Sequence, residues 1–395
     1  MSSDYPDPVT DVSALSPAAL HERMRAGEQV TLLDVRDRDE FDEWHVDGPT
    51  VEAHHVPYIT FVQAQVKGGI ADLVADLEEP ITVVCGRGEA SAYVASLLAA
   101  AGIEAQNLTG GMDEWARLAV TESFSVPPGG TVVQYQRPSS GCLSYLVVSD
   151  GEAVVIDPLR AFADRYVADA AAHDADLKYV VDTHVHADHV SGLREVAETT
   201  DARPLLPRGA KKRGLTYADE YDATLVEDGD EFRVGDLILT AVALPGHTTE
   251  TVGYHLGEVL FAGDTVFRTS VARPDLEAGD AGAEDHARAL SRTIRNEILP
   301  LPDRTRICPA HYSSEEHPAE DNTYTVTVGE VEERLDGLAS DEDSFVEFVL
   351  RDMPPRPANY EEIIATNLGK RETDPETAFE LELGPNNCAA TSMAD

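Results

Sequence analysis

Thr183-His184-Val185-His186-Ala187-Asp188-His189 places four metal-capable side chains within six residues. The segment before it, Leu177-Lys178-Tyr179-Val180-Val181-Asp182, reads as a buried strand. The segment after it, Val190-Ser191-Gly192-Leu193-Arg194-Glu195-Val196, reads as the start of a helix. Residues two apart in an extended strand end point to the same side, so His184 and His186 face one space. Asp188 and His189 can approach that space from the following turn. Imidazole and carboxylate together suit Zn, Fe or Mn rather than Ca or Mg. A His-rich surface loop is the competing reading, and the regularity of the spacing argues against it.

Three later residues share the same setting. His247 sits in Leu244-Pro245-Gly246-His247-Thr248, Asp264 in Leu260-Phe261-Ala262-Gly263-Asp264-Thr265, and His311 in Ile307-Cys308-Pro309-Ala310-His311-Tyr312. Each follows a short apolar run and a Gly or Pro turn, the placement expected for ligands carried on loops above a rigid sheet. Together with the HxHxDH segment, the PGHT His, the GD Asp and the PAH His resemble the metallo-β-lactamase fold superfamily, over roughly residues 128–320. That resemblance implies an αββα domain whose seven ligand residues hold metal.

Upstream the chain alternates strands and helices, which implies a parallel α/β sheet. Ser16-Pro17 opens a helix in cap-then-first-turn fashion, running towards Arg25. Val30–Val35 and Ile81–Val84 read as strands, and the second ends at Cys85. The loop Gly86-Arg87-Gly88-Glu89-Ala90 leads into an Ala-rich helix from Ser91. A strand around Ala105–Leu108 then precedes Gly110-Gly111-Met112 and a short helix through Trp115. A Cys at a strand's carboxyl end, facing loop amides and a helix start, is well placed to be a thiolate. Leu33-Asp34-Val35-Arg36, Phe41-Asp42-Glu43-Trp44-His45, the Cys85 loop and Gly110–Trp115 together resemble a rhodanese domain over about residues 10–120. The resemblance makes Cys85 the carrier of a sulfane sulfur as a persulfide. Ala90 stands where many members carry Arg, which leaves Arg87 the only cation of the loop. A rhodanese scaffold with an inert Cys85 is the competing reading.

The expected fold is therefore an α/β rhodanese-like domain with a parallel sheet, followed by an αββα metallo-β-lactamase-fold domain. The first covers residues 1–122, a linker 123–130, the second domain 131–369 and a loosely held tail 370–395. The linker carries Pro127-Pro128-Gly129-Gly130, the turn chemistry of a domain boundary. A chain of 395 residues fits two domains better than one.

Charge narrows the partners. With 73 acidic against 30 basic residues the formal net charge is −43. The overall field repels phosphate, so nucleic acid and anionic membranes are excluded as partners. Lys appears only at 67, 178, 211, 212 and 370. The acid excess runs through both domains rather than a tail, which suggests a halophilic interior, where the Debye length is only about 3 Å. The one basic cluster, Arg208–Arg213, either steers an anionic substrate or is a solvated loop. Cys85, Cys142, Cys308 and Cys388 are widely spaced and form no CxxC pair, as in a reducing compartment. Neither a signal peptide nor a transmembrane stretch is visible. A cytoplasmic protein is expected, with a homodimer open as its assembly.

The ligands alone allow one metal or two. With two zincs, the resemblance would give His184, His186 and His247 to one and Asp188, His189 and His311 to the other, Asp264 bridging. That site would hydrolyse a thioester, as hydroxyacylglutathione hydrolases do. With one Fe(II), His184, His247 and Asp264 form a two-His, one-carboxylate set with positions open for O2 and substrate. His186, Asp188, His189 and His311 then support it from outside. The second arrangement is that of persulfide dioxygenases, which the chain resembles more closely. Arg273-Pro274-Asp275 is similar to their R-x-D signature, and Phe348–Pro357 with Tyr360 and Asn367 adds a second match. Arg273 and Asp275 accordingly join Cys85 and Arg87 as candidate catalytic residues, an ordinary surface ion pair being the alternative for the first two. The expected partners are a low-molecular-weight thiol persulfide, O2 and a sulfane-sulfur donor. A non-catalytic persulfide sensor is a third reading.

Overall fold

The computed structural model describes residues 5–313, 316–334, 341–351, 353–384 and 388–390. The backbone divides into two compact units, Met1–Val120 with Arg137–Ser140, and Thr121–Gln136 with Gly141–Asp395.

In the first unit, five strands form a sheet: β1 (Ser13–Leu15), β2 (Val30–Asp34), β3 (Val51–His55), β4 (Ile81–Val84) and β5 (Ala105–Leu108). Their order is β1-β5-β4-β2-β3, and every pair is parallel. The central strands β2 and β4 are buried along their whole length, because helices cover both faces of such a sheet. Alternation sends Leu33, Ile81 and Val83 into one core and Leu32 and Val84 into the other. The helix Pro17–Arg25 starts as expected: the Ser16 hydroxyl accepts from Ala19 N at 3.2 Å and Pro17 occupies the first turn.

The second unit holds two sheets. One runs β12-β11-β10-β9-β8-β7-β6 and the other β13-β14-β15-β16-β17-β18. The first comprises β6 (Val120–Val126), β7 (Gly130–Arg137), β8 (Cys142–Ser149), β9 (Glu152–Ile156), β10 (Asp176–Val181), β11 (Arg203–Pro207) and β12 (Thr224–Val226). The second comprises β13 (Glu231–Val234), β14 (Leu237–Ala243), β15 (Val252–Leu256), β16 (Val259–Gly263), β17 (Arg306–Pro309) and β18 (Val326–Thr327). Tyr145, Ile156, Val181 and Leu205 of one sheet share a core with Leu239, Tyr254 and Phe261 of the other. Leu260, one residue from Phe261, points outward and packs with Leu290, Ile294, Phe345 and Val349 of the covering helices. The helices Ala163–Ala172 and Leu193–Thr199 lie against β10 on the opposite side. The layers are thus αββα.

Strand direction gathers the ligand loops. β14 and β16 both pair antiparallel with β15, and β16 is parallel to β17. All three therefore end at one edge, where they deliver His247, Asp264 and His311. The amide of Val252 on β15 donates to Thr183 O at 2.8 Å, which draws in the loop after β10.

Two expectations are corrected here. The linker expected over 123–130 is mostly strand β6 and the turn after it, because Phe124 and Val126, two apart, point into the shared core. Pro127–Gly130 turns between two neighbouring strands of one sheet rather than between domains. The segment after 370 is not loosely held over its described residues. Asp374 caps the helix Pro375–Leu381, accepting from Glu376 N at 3.1 Å and Thr377 N at 3.0 Å. Ala378, Phe379, Leu381, Glu382 and Cys388 are buried. The Asp-Pro start signal there is only four residues from Lys370 and was masked by the polar run around it. Residues 385–387 and 391–395 of that expected tail, and Asp352 of the second match, lie outside the described residues. Among the described residues no helix is long and apolar enough to cross a membrane.

Candidate metal centre and candidate sulfur-carrier site

The HxHxDH loop, His247, Asp264 and His311 meet in one buried pocket, each no more than 5% exposed. Their partners sort them into two groups. The Nδ1–H of His247 donates to Arg273 O at 2.8 Å, which leaves Nε2 as a bare lone pair. The Thr183 hydroxyl donates to Asp157 Oδ2 at 3.0 Å, so its oxygen accepts from His184 Nδ1 at 2.9 Å. His184 Nε2 is then also a lone pair. Both face Asp264 Oδ2, at 3.7 Å from His184 and 3.6 Å from His247. None of these three buried atoms has a hydrogen-bond partner. Three acceptors facing one another without a proton between them repel unless a cation sits among them. The donor set fits a divalent ion, and two imidazoles with one carboxylate leave further positions open.

Electrostatics prepares the same three groups. Burial, with the neighbouring imidazoles His186 and His247, pushes His184 well below the usual imidazole range, and burial likewise lowers His247. Both are held neutral, the ligand form. Burial alone would raise Asp264, but the adjacent His311 charge and hydrogen bond outweigh it and hold the carboxyl ionised.

The second group is held largely by carboxylates. His311 bridges two carboxylates, Nδ1 to Asp264 Oδ1 at 2.7 Å and Nε2 to Asp188 Oδ2 at 2.8 Å. His189 Nδ1 lies 2.8 Å from the same Asp188 oxygen. Burial opposes charge on His311 and His189, yet the carboxylates outweigh it and raise both well above the usual range. His186 Nε2 is 3.1 Å from Asp157 Oδ1. Two atoms of this group, His186 Nδ1 and His189 Nε2, are buried without partners.

In the first unit Cys85 is 5% exposed and follows β4 directly. Its Sγ accepts from Gly88 N at 3.1 Å, Ser91 N at 3.3 Å and Ser91 Oγ at 3.1 Å. Gly88, at φ 90°, bends the loop into the helix Glu89–Ala100. Gly111 approaches so closely that a Cβ there would stand 2.1 Å from Cys85 O. Three donors converging on one sulfur are the partners of a thiolate or a persulfide. Arg87 does not join them: its guanidinium turns outward and its Nε lies 3.3 Å from Asp113.

Residues 138–311 match the metallo-beta-lactamase superfamily, and residues 16–118 match the rhodanese-like domain. The chain joins a rhodanese-like domain to a metallo-β-lactamase-fold domain. A beta-lactamase hydrolase-like protein of Xylella fastidiosa is 30% identical over 238 residues, 53% of each chain. The mitochondrial persulfide dioxygenase ETHE1 of Homo sapiens is 31% identical over 182 residues, 45% of this chain and 66% of that one. The hydroxyacylglutathione hydrolase of Vibrio cholerae is 29% identical over 187 residues, 47% of this chain and 66% of that one. Among solved structures, ETHE1 from Myxococcus xanthus superposes with a TM-score of 0.51 at 26% identity, covering 60% of this chain and 98% of that one. The chain spans about half the length of the first of these curated relatives.

Within the metallo-β-lactamase-fold domain, Arg273 and Asp275 form a buried ion pair. They are 1% and 2% exposed, not on the surface. The guanidinium meets Asp275 through Nε at 2.7 Å and Nη2 at 3.1 Å, and Nη1 reaches Pro355 O at 2.8 Å. Arg356 Nε adds a bond to Asp275 at 2.8 Å. The contribution to the metal pocket is the Arg273 carbonyl, which orients His247. Removing one partner of a buried ion pair costs about 3–5 kcal/mol. Arg356 still faces Asp275 here, so Arg273→Gln is expected to lower unfolding free energy by about 3 kcal/mol, read from a denaturant titration.

Sequence reading missed Asp157 and Thr183 as the pair that orients His184. Asp157 accepts from Thr183 N at 2.7 Å and adopts φ 53°, a left-handed conformation uncommon for Asp. Its one sequence signal is an Asp-Pro closing the apolar run Ala153–Ile156. Three cations of the basic cluster are in ion pairs: Arg208 with Glu227, Lys211 with Asp219 and Arg213 with buried Glu250.

Proposed function

We propose that the chain is a persulfide dioxygenase with a sulfurtransferase site. A low-molecular-weight persulfide reacts as RS–SH + O2 + H2O → RSH + SO3²⁻ + 2H⁺. The reading is carried by the convergence of His184 Nε2, His247 Nε2 and Asp264 Oδ2 as three unpartnered lone-pair atoms. Fe(II) held there would supply open positions for O2 and the persulfide sulfur. The protein's own part is to fix tautomers: Arg273 O holds His247 and Thr183 with Asp157 holds His184. His311 keeps Asp264 ionised. Every ligand-type side chain is buried. The similarity to the human and Myxococcus xanthus proteins supports the reaction. So does the rhodanese-like domain, whose chemistry makes or consumes persulfide. Sulfite release from preformed glutathione persulfide under air tests it, and no sulfite above the uncatalysed level would sink it.

A second reading, a binuclear-zinc thioester hydrolase, is favoured by the unpartnered His186 Nδ1 and His189 Nε2. It requires Asp188 and His311 to exchange their mutual bond for a second ion.

We further place the protein in a saline cytoplasm. A net charge of −43 makes the folded chain repel itself, and salt screens that repulsion. The melting temperature is therefore expected to rise steadily from dilute buffer to molar KCl. A flat profile in differential scanning fluorimetry would contradict the assignment.

A further inference from the structure

Residues 182–190, which carry four of the ligand-type side chains, form neither helix nor strand and are buried. Buried backbone N–H and C=O groups must still find partners, and here side chains supply several of them. Glu250 accepts from Val185 N at 3.2 Å and Glu382 from Val190 N at 2.9 Å. Asn367 alone takes three. Its Nδ2 donates to His186 O at 2.9 Å and His189 O at 2.8 Å, and its Oδ1 accepts from Ser191 N at 2.9 Å. Two carbonyls demand a donor and one amide demands an acceptor, so the side-chain amide fits in one orientation only.

We propose that Asn367 is a positioning residue of the metal centre, setting the ligand loop's backbone without touching ion or substrate. One NH2 group gripping the carbonyls of residues 186 and 189 holds the loop in a closed turn. That turn fixes where the Cα atoms of His184, Asp188 and His189 stand. Asn367 ends the helix Tyr360–Asn367, beyond the stretch that matches the superfamily. The chain therefore completes its metal centre with a residue about 180 positions from the loop it holds. The same C-terminal region steadies the opposite ligand, since Cys388 O accepts from Arg273 N at 3.0 Å and Arg273 O orients His247.

The inference rests on the metal-binding part of the proposed function, not on which reaction follows. Asn367→Asp keeps the size and the acceptor but turns a carboxylate towards two carbonyls. Asn367→Ala removes all three bonds. Full-length protein is titrated with Co(II), whose visible absorption reports affinity and coordination geometry, while circular dichroism reports folding. Partners that orient metal ligands are worth roughly 10–100-fold in affinity. Both variants are expected to bind Co(II) weaker by that factor, with an altered absorption envelope and a folded circular dichroism spectrum. A folded variant with the affinity and spectrum of the unaltered chain would overturn the proposal. So would failure of both variants to fold, which would make Asn367 a residue of the fold alone. An unaltered chain that takes up no Co(II) would instead remove the metal reading itself.

Discussion

His247→Ala is expected to abolish sulfite formation from preformed persulfide while sparing sulfur transfer at Cys85. Groups that merely orient a ligand account for about 10–100-fold, so loss of a ligand should exceed about 100-fold. The substitution removes one of three converging lone pairs and the bond to Arg273 O. Alanine leaves a cavity at a fully buried position, so some stability falls as well. Circular dichroism with metal content separates that loss from the catalytic one. The rhodanese-like unit contains none of the three converging atoms, so cyanide or thiol acceptance from thiosulfate should persist. Retained sulfite formation in the metal-loaded variant would remove His247 from the proposed centre.

Cys85→Ser should do the reverse. The oxygen fits the same cradle of Gly88 N, Ser91 N and Ser91 Oγ, so the fold should hold. It cannot carry a sulfane sulfur, however, because that chemistry needs a thiolate. Transfer from a sulfane donor to a thiol should fall to background. Oxidation of preformed persulfide should stay near the level of the unaltered chain. When the reaction starts from thiosulfate plus thiol, both substitutions should silence sulfite formation. If Cys85→Ser also stopped oxidation of preformed persulfide, Cys85 would be an obligatory carrier and the two sites would not work separately.

Much of this was legible because the informative residues are local. His184, His186, Asp188 and His189 declare themselves by spacing within one loop. His247, Asp264 and His311 do so by sitting after apolar runs that end at the same sheet edge. Cys85 is read from a strand, a glycine turn and a helix in succession. The remainder depends on distance in sequence. Asp157 reaches Thr183 across 26 positions, and Asn367 and Glu382 grip the ligand loop across about 180 and 190. Asn367 stands out in sequence by resemblance and Asp157 by its Asp-Pro, but neither signal says which backbone or side chain each one holds. The separation of His184, His247 and Asp264 from the other four ligand-type residues depends on rotamers and tautomers. Strand β6 reads as linker because its end carries Pro and Gly, although Phe124 and Val126 show the period of a strand. Arg273 also meets the site through its backbone, because its carbonyl orients His247, a contact that side-chain motifs do not signal.

In the proposed centre three side chains, not seven, hold the working ion. Metal analysis of the full chain purified without oxygen, with O2 uptake on glutathione persulfide recorded from the same sample, decides between one ion and two. The expected result is about one iron per chain and uptake that tracks iron content. Two tightly bound zincs per chain, with thioester hydrolysis in place of O2 uptake, would contradict it.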